Sequence, residues 1–296
     1  MRTIDLFCGC GGLSLGFEQS GFEICEAFDN WDKAIEVYRE NFSHKTTLAN
    51  CESLSIEYLK QLNVDVIIGG PPCQDYSSAG KRNESLGRAV LTQTFINYIC
   101  NLKPKWFVME NVDRILRSDT LPKCVTLLKC ANYGLTQIVL DASFYGVPQK
   151  RKRYFLIGEL GAQDDFLMLP LLQLKSQMPM TVRDYLADEL NTEHYYRHPR
   201  SYHRRGIFSI DEPSPTIRGV NRPIPPNYKF HSGDTITDLS KVKVLSTFER
   251  ARIQTFPKDF KWKGTKTTLE QLIGNAVPVA LANNIAKCLM NRIKQC

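Results

Sequence analysis

The sequence predicts an α/β protein built on a doubly wound, mostly parallel sheet, with a smaller loop-rich domain beside it. Three observations predict this. Short apolar runs alternate with amphipathic stretches over the first 160 or so residues, the pattern breaks down from about residue 165, and helical periodicity returns from Leu272 onward. Alternating strand and helix signals mark βαβ units, because parallel strands need long crossovers that are usually helical. The expected division is 1–165 plus 272–296 for the first domain and 166–271 for the second.

The elements follow in order. Strand-like runs occupy 3–7, 22–28, 64–68, 106–110, 135–140 and 154–158, rich in Ile, Val, Phe and Leu as strands buried on both faces should be. Helical patterns fill the gaps at 13–20, 33–41, 56–62, 91–102 and 121–131. Beyond residue 165, Pro213-Ser214-Pro215 and Pro223-Ile224-Pro225-Pro226 punctuate a stretch with no long periodic segment until Leu245. The tail reads as one helix over 279–293.

Composition sets outer limits. At 296 residues and 43% hydrophobic, the chain can bury a sizeable core. No apolar run approaches the ~18 residues that span a bilayer. Thr3-Ile4-Asp5-Leu6-Phe7 begins without a signal-peptide layout, which predicts a cytoplasmic protein away from membranes. Ten cysteines without regular spacing predict reduced thiols, and with no Cys-x-x-Cys pair no metal site is expected. The net charge is +7, yet residues 1–149 hold slightly more acid than base, so the basic excess lies in the second half. Such an excess is either a solvated face or the footprint of a polyanion.

Chemistry concentrates in a few places. Gly69-Gly70-Pro71-Pro72-Cys73 closes the run 64–68, and two prolines present Cys73 in one stiff geometry at the carboxyl end of a strand. Cys73 is a candidate nucleophile; its bland alternative is a buried structural thiol. Asp5-Leu6-Phe7-Cys8-Gly9-Cys10-Gly11-Gly12 runs from a strand into a glycine turn and a helix, a place where backbone can approach a ligand closely. Neither the dinucleotide nor the P-loop fingerprint is met. Asp29 ends the second strand, where it holds a ribose diol or caps the next helix.

Taken in order with Glu110-Asn111-Val112, Gln149-Lys150-Arg151-Lys152-Arg153, Glu249-Arg250-Ala251-Arg252-Ile253-Gln254-Thr255-Phe256-Pro257 and Gln271-Leu272-Ile273-Gly274-Asn275-Ala276-Val277-Pro278, these motifs resemble those of the DNA (cytosine-5) methyltransferases, compact bacterial or phage restriction–modification type. They span nearly the whole chain. The resemblance implies a Rossmann-like methyltransferase fold facing a target-recognition domain across a cleft. It implies S-adenosylmethionine as cofactor, S-adenosylhomocysteine as product, and a cytosine flipped out of double-stranded DNA as substrate. It places Phe7, Gly9, Gly12, Asp29, Asn50, Cys51, Pro72, Asn275 and Val277 at the cofactor. Asn50-Cys51 stands where the family usually has Asp and an aliphatic residue, and Asp75-Tyr76 replaces its usual Gly-Phe. A cognate restriction endonuclease as genetic partner and a monomeric state are expected.

The same resemblance assigns catalysis to Cys73, Glu110, Arg151 and Arg153. Carbon 5 of cytosine becomes nucleophilic only once a thiolate has added at carbon 6, and cationic neighbours favour the thiolate. A partly buried carboxyl at Glu110 can hydrogen-bond or protonate ring nitrogen 3. Strand alternation would point Arg151 and Arg153 to one side; the bland reading is a solvated basic hinge. Gly274-Asn275 is either part of the cofactor pocket or a turn. Residues assigned to DNA are Ser77, Lys81 and Arg82 in a lid after Cys73, Gln149, and Thr216, Arg218 and Arg222 in the loop 213–223. The two arginines there would read guanine bidentately or bind phosphate. Transfer-RNA cytosine methylation and a silent cofactor- or DNA-binding module are the alternatives.

Overall fold

The computed structural model describes residues 1–72, 89–186, 189–201 and 203–295. Its centre is a seven-stranded sheet made of β1 (Arg2–Leu6), β2 (Glu23–Asp29), β3 (Lys45–Leu48), β4 (Val66–Gly69), β5 (Trp106–Val112), β6 (Tyr133–Asp141) and, after the two-residue β7 (Gln149–Lys150), β8 (Lys152–Leu160). The order is β3-β2-β1-β4-β5-β8-β6. Only the two pairings made by β8 are antiparallel. Six strands coincide with runs read from the sequence; β3, with the sequence KTTL and one buried residue, is too short and polar to have announced itself.

The order reverses between β1 and β4. In doubly wound sheets, ligands bind at the carboxyl ends of the strands flanking such a switch point. The glycine turn follows β1 and the Pro-Pro corner follows β4, so both motifs lie there.

Helices α1 (Gly12–Glu18), α2 (Asp32–Asn41), α3 (Ile56–Gln61), α4 (Ala89–Leu102) and α5 (Thr120–Cys130) cross between the strands. Alternation along β4 shows how both faces fill: Ile67 packs with Phe95 and Ile99 of α4, while Val66 and Ile68 face the opposite core with Leu13 and Phe17 of α1. After β8 come α6 (Met168–Gln173), α7 (Val182–Leu186), the small sheet of β9 (His194–Tyr196), β10 (Ile207–Ser209) and β12 (Val242–Val244), and between them β11 (Ser214–Pro215), which pairs with β7. Then follow α8 (Thr247–Ile253), α9 (Lys266–Asn275) and α10 (Val279–Ile293).

The last helix returns to the first half. A Cβ on Gly16 of α1 would collide with Ala282 and the backbone of α10, so the two helices touch at the main chain. The helical run Lys266–Ile293 is long and apolar enough to cross a membrane by composition, which the sequence reading did not credit. It is two helices joined at Ala276-Val277-Pro278, and 61% of its most apolar window is buried inside the protein. One hydrophobic cluster joins Cys10 and Tyr38 to Ile217, Phe256 and Ile273, so packing is continuous across residue 165.

Candidate active site

Cys73 lies outside the described residues, as do Ser77, Lys81 and Arg82. The chain leading to Cys73 is held firmly. Asn111 of β5, almost fully buried, donates its amide to the Pro71 carbonyl at 3.3 Å. A Cβ on Gly70 would sit 3.3 Å from Oε2 of Glu110, so that carboxylate lies against the strand end just ahead of the cysteine. Adjacent residues of β5 thus brace the corner and aim a carboxylate past it. Pro72 is exposed at the same edge.

Glu110 is 9% exposed, and Arg153 Nε donates to its Oε1 at 2.8 Å. The antiparallel register sets this up: Val112 opposes Arg153 and Glu110 opposes Phe155, so Arg153 and Glu110 are diagonal neighbours on one face. Burial pushes the Glu110 carboxyl above its ordinary range, and the charges of Arg153 and then Arg151 pull it back only in part. The result is a carboxyl that retains a proton to higher pH than an exposed one.

Arg151 differs from expectation. Strand β8 starts at Lys152, so alternation does not set its direction. It is 1% exposed, and its guanidinium donates to the carbonyls of Ile217 at 3.0 Å, Gly274 at 3.0 Å and Ala276 at 2.9 Å. Burial lowers its pKa well below the usual arginine range, with Arg153 adding to the effect, yet it acts as a clamp on two distant chain segments. Gln149 also needs correction as a DNA contact. It is fully buried, donates to Gln254 Oε1 at 2.8 Å and accepts from Ile217 N at 2.8 Å, because β7 sits inside the junction with β11 and α8.

The glycine turn is built on left-handed backbone. Phe7 has φ +64°, Gly9 +55° and Gly11 +92°. A Cβ on Gly12 would strike the Val277 carbonyl, so the turn closes against the segment between α9 and α10. Among the described residues, no atom lies within 4 Å of a Cβ position on Gly9, which leaves its backbone open. Asp29 accepts from Gly9 N at 2.8 Å and Trp31 N at 2.9 Å, so it braces this turn; the N-cap of α2 is Trp31. Asn50 folds onto its own loop, accepting from Glu52 N at 3.1 Å. The Cys51 thiol is buried toward Phe28, and burial pushes its pKa up to about 12, so only its backbone can meet a ligand. Asn275 is exposed at the end of α9, and Val277 is buried. Every described cysteine is a free thiol.

In the loop 213–223, Thr216 donates its hydroxyl to the Lys150 carbonyl at 2.8 Å. Arg218 donates Nη2 to the His198 carbonyl at 2.6 Å, and its Nε is buried without a partner among the described residues. One of its five N–H groups is thus spent inside the protein. Arg222 is exposed.

The sequence reading gave no role to the residues that fix this loop. Arg250, buried on α8, pairs with buried Glu270 and donates to the carbonyls of Arg218 and Val220. Glu270 also accepts from Thr247 and Asn221 at 2.9 Å. Gln254, one turn after Arg250, donates to the Ile273 carbonyl at 2.6 Å. Two polar residues at i, i+4 spacing on an otherwise apolar helix face were the available signal.

Solved structures give the class: the fold is that of a DNA methyltransferase. The S. pombe Dnmt2 methyltransferase matches with a TM-score of 0.77 over 99% of both chains at 16% identity. A DNA modification methyltransferase encoded within an E. coli prophage matches with 0.74, again over 99% of both, at 25% identity. The chain belongs to the C-5 cytosine-specific DNA methylase family, whose sequence profile matches residues 1–291. Among its relatives, the Type II methyltransferase M.HindV of Haemophilus influenzae is 58% identical, covering 100% of this chain and 98% of its own length. M.HgiDI of Herpetosiphon aurantiacus is 51% identical over 100% of this chain and 96% of its own. The protein is a DNA (cytosine-5) methyltransferase.

Proposed function

We propose that this enzyme methylates carbon 5 of a cytosine flipped out of a specific duplex DNA sequence, as the methylase of a restriction–modification system with a cognate endonuclease. The relatives' description as Type II methyltransferases supports that setting. The observation that carries the chemistry is the buried Glu110–Arg153 pair beside the Pro-Pro corner. In this reading the Cys73 thiolate bonds to carbon 6 while Glu110 hydrogen-bonds or protonates nitrogen 3, which offsets charge building in the ring. Arg153 orients Glu110. After methylation, loss of the carbon-5 proton and cleavage of the S–C6 bond restore the ring.

S-adenosylmethionine, when bound, supplies the methyl group. The residues present fit it: the open backbone at Gly9, the apolar Phe7 and Val277 and the half-buried carboxylate of Asp29 line one edge of the switch point. Flipping costs a few kcal/mol of unpairing and unstacking, which DNA contacts must offset. We assign those contacts to 166–271, standing on the core it shares with 1–165 and 272–296, and to the segment after Cys73. We take the enzyme to act as a cytoplasmic monomer.

Incubation with methyl-labelled cofactor and either duplex DNA or transfer RNA tests the substrate. Label at carbon 5 of cytosine in DNA is expected; label only in RNA overturns the reading.

A further inference from the structure

The connection from β9 to β10 carries four arginines, Arg197, Arg200, Arg204 and Arg205, that neither the motifs nor the proposed chemistry uses. Arg197 N bonds the Gly206 carbonyl at 2.8 Å and closes the connection, and Arg204 N bonds the Ser201 carbonyl at 3.0 Å in a turn inside it. Facing it across a cavity of about 510 Å³ are Pro215, Thr216 and Arg218. Among the described residues, no Asp or Glu lines this cavity. Arg205 is matched by Glu212 behind it, but among the described residues no carboxylate pairs with Arg197, Arg204 or Arg218.

Crowding of like charge has a visible cost. Burial, then the charges of Arg218, Arg250 and Arg200, lowers the Arg197 pKa to about 9. Burial, then Arg200 and Arg204, lowers that of Arg218. A cavity with walls of one sign of charge favours an anion from outside.

We propose that this cavity receives a backbone phosphate of the substrate DNA, with Arg200 and Arg204 as the contacts and Arg197 and Arg218 as its positive floor. The proposal rests on the duplex-DNA reading above and adds the residues that anchor the strand. Geometry favours phosphate over a base edge. Arg197 gives Nη2 to the Thr216 carbonyl at 2.6 Å and Arg218 gives Nη2 to the His198 carbonyl, so both are tethered to the chain as positive charges beside the cavity. Placement favours DNA over a small anion. The far wall is β11, hydrogen-bonded to β7 in the register Ser214↔Gln149 and Pro215↔Lys150, which ties the cavity to the strand leading into Arg153. A phosphate bound there sits at a fixed offset from Glu110, as positioning a flipped base requires.

The test measures the salt dependence of duplex affinity for the wild type, Arg204→Gln, Arg204→Lys and the double variant Arg200→Gln/Arg204→Gln. The slope of log affinity against log salt should flatten by about one for each arginine removed, with Lys restoring it. The weakening should be equal on a methylated-site duplex and an unrelated one. Cofactor binding without DNA checks that each variant is folded. A wild type that methylates DNA while all slopes stay equal overturns the proposal and leaves the proposed function standing. Weakening confined to the target duplex means a base contact and also overturns it.

Discussion

The catalytic edge and the recognition segment handle positive charge in opposite ways. At the edge, Arg153 is paired with the Glu110 carboxylate and Arg151 is held by three backbone carbonyls from distant parts of the chain. In the other region, Arg197, Arg200, Arg204 and Arg218 line one cavity with no carboxylate among its described lining residues. A charge paired within the protein fixes geometry, and a positive cavity wall suits an outside anion. In the proposed reading, the difference separates the part that holds a reacting base from the part that holds the strand.

That contrast can be broken in several places. The largest effect is expected at the nucleophile. Cys73→Ser should lower turnover by at least about three orders of magnitude while cofactor and DNA binding persist, since losing a nucleophile removes the covalent route itself. Equal single-turnover rates in the variant would end the covalent account.

Glu110→Gln should lower turnover by about 10²- to 10⁴-fold, because the amide keeps the shape and accepts from Arg153 but cannot give up a proton. The expected sign with pH is specific. Burial raises the Glu110 pKa, so its protonated form persists above the ordinary carboxylate range and declines as pH rises through the raised value. That limb of the wild-type profile should vanish in the variant.

Arg151→Lys sharpens the distinction between a clamp and a free cation. Lysine keeps the charge but cannot reach three carbonyls in a fixed plane, so a loss of about 1–3 kcal/mol in urea unfolding is expected. Full stability together with full activity in the variant would return Arg151 to a purely electrostatic role.

The smallest effect concerns Asp5, buried under the glycine turn and hydrogen-bonded by Ser14 Oγ at 2.6 Å. Burial pushes its pKa up to about 8. Between about pH 4 and pH 8 the folded protein holds a proton that the unfolded chain has released, so this group makes stability fall as pH rises across that window. Asp5→Asn should flatten that part of the urea-midpoint profile between pH 5 and 8. An unchanged slope would mean Asp5 is ionised in the folded state.

Most of the main sheet was legible because its strands are apolar on both faces and bounded by Gly, Pro and Asn. What was hidden depended on long-range polar contacts. Arg151 and Arg153 look equivalent in a basic run, yet the strand begins between them and one turns into the core. Gln149 sits beside the same basic residues, but its burial comes from β11 and α8, more than sixty residues away. Asp29 was placed correctly at a strand end, while its bonds to Gly9 and Trp31 depend on how the turn closes. The strand that carries Glu110 was legible, while its pairing with Arg153 comes from the antiparallel register of β8.

The central claim is that the edge braced by Glu110, Asn111 and Arg153 presents Cys73 to carbon 6 of a flipped cytosine. Trapping on duplex DNA in which 5-fluorocytosine replaces cytosine tests it most directly, since fluorine at carbon 5 blocks the final elimination. With cofactor present, the wild type should form a denaturant-stable complex carrying the DNA on Cys73, and Cys73→Ser should form none. Methylation of ordinary DNA by the wild type with no trapped complex, or a complex bonded through another residue, would contradict it.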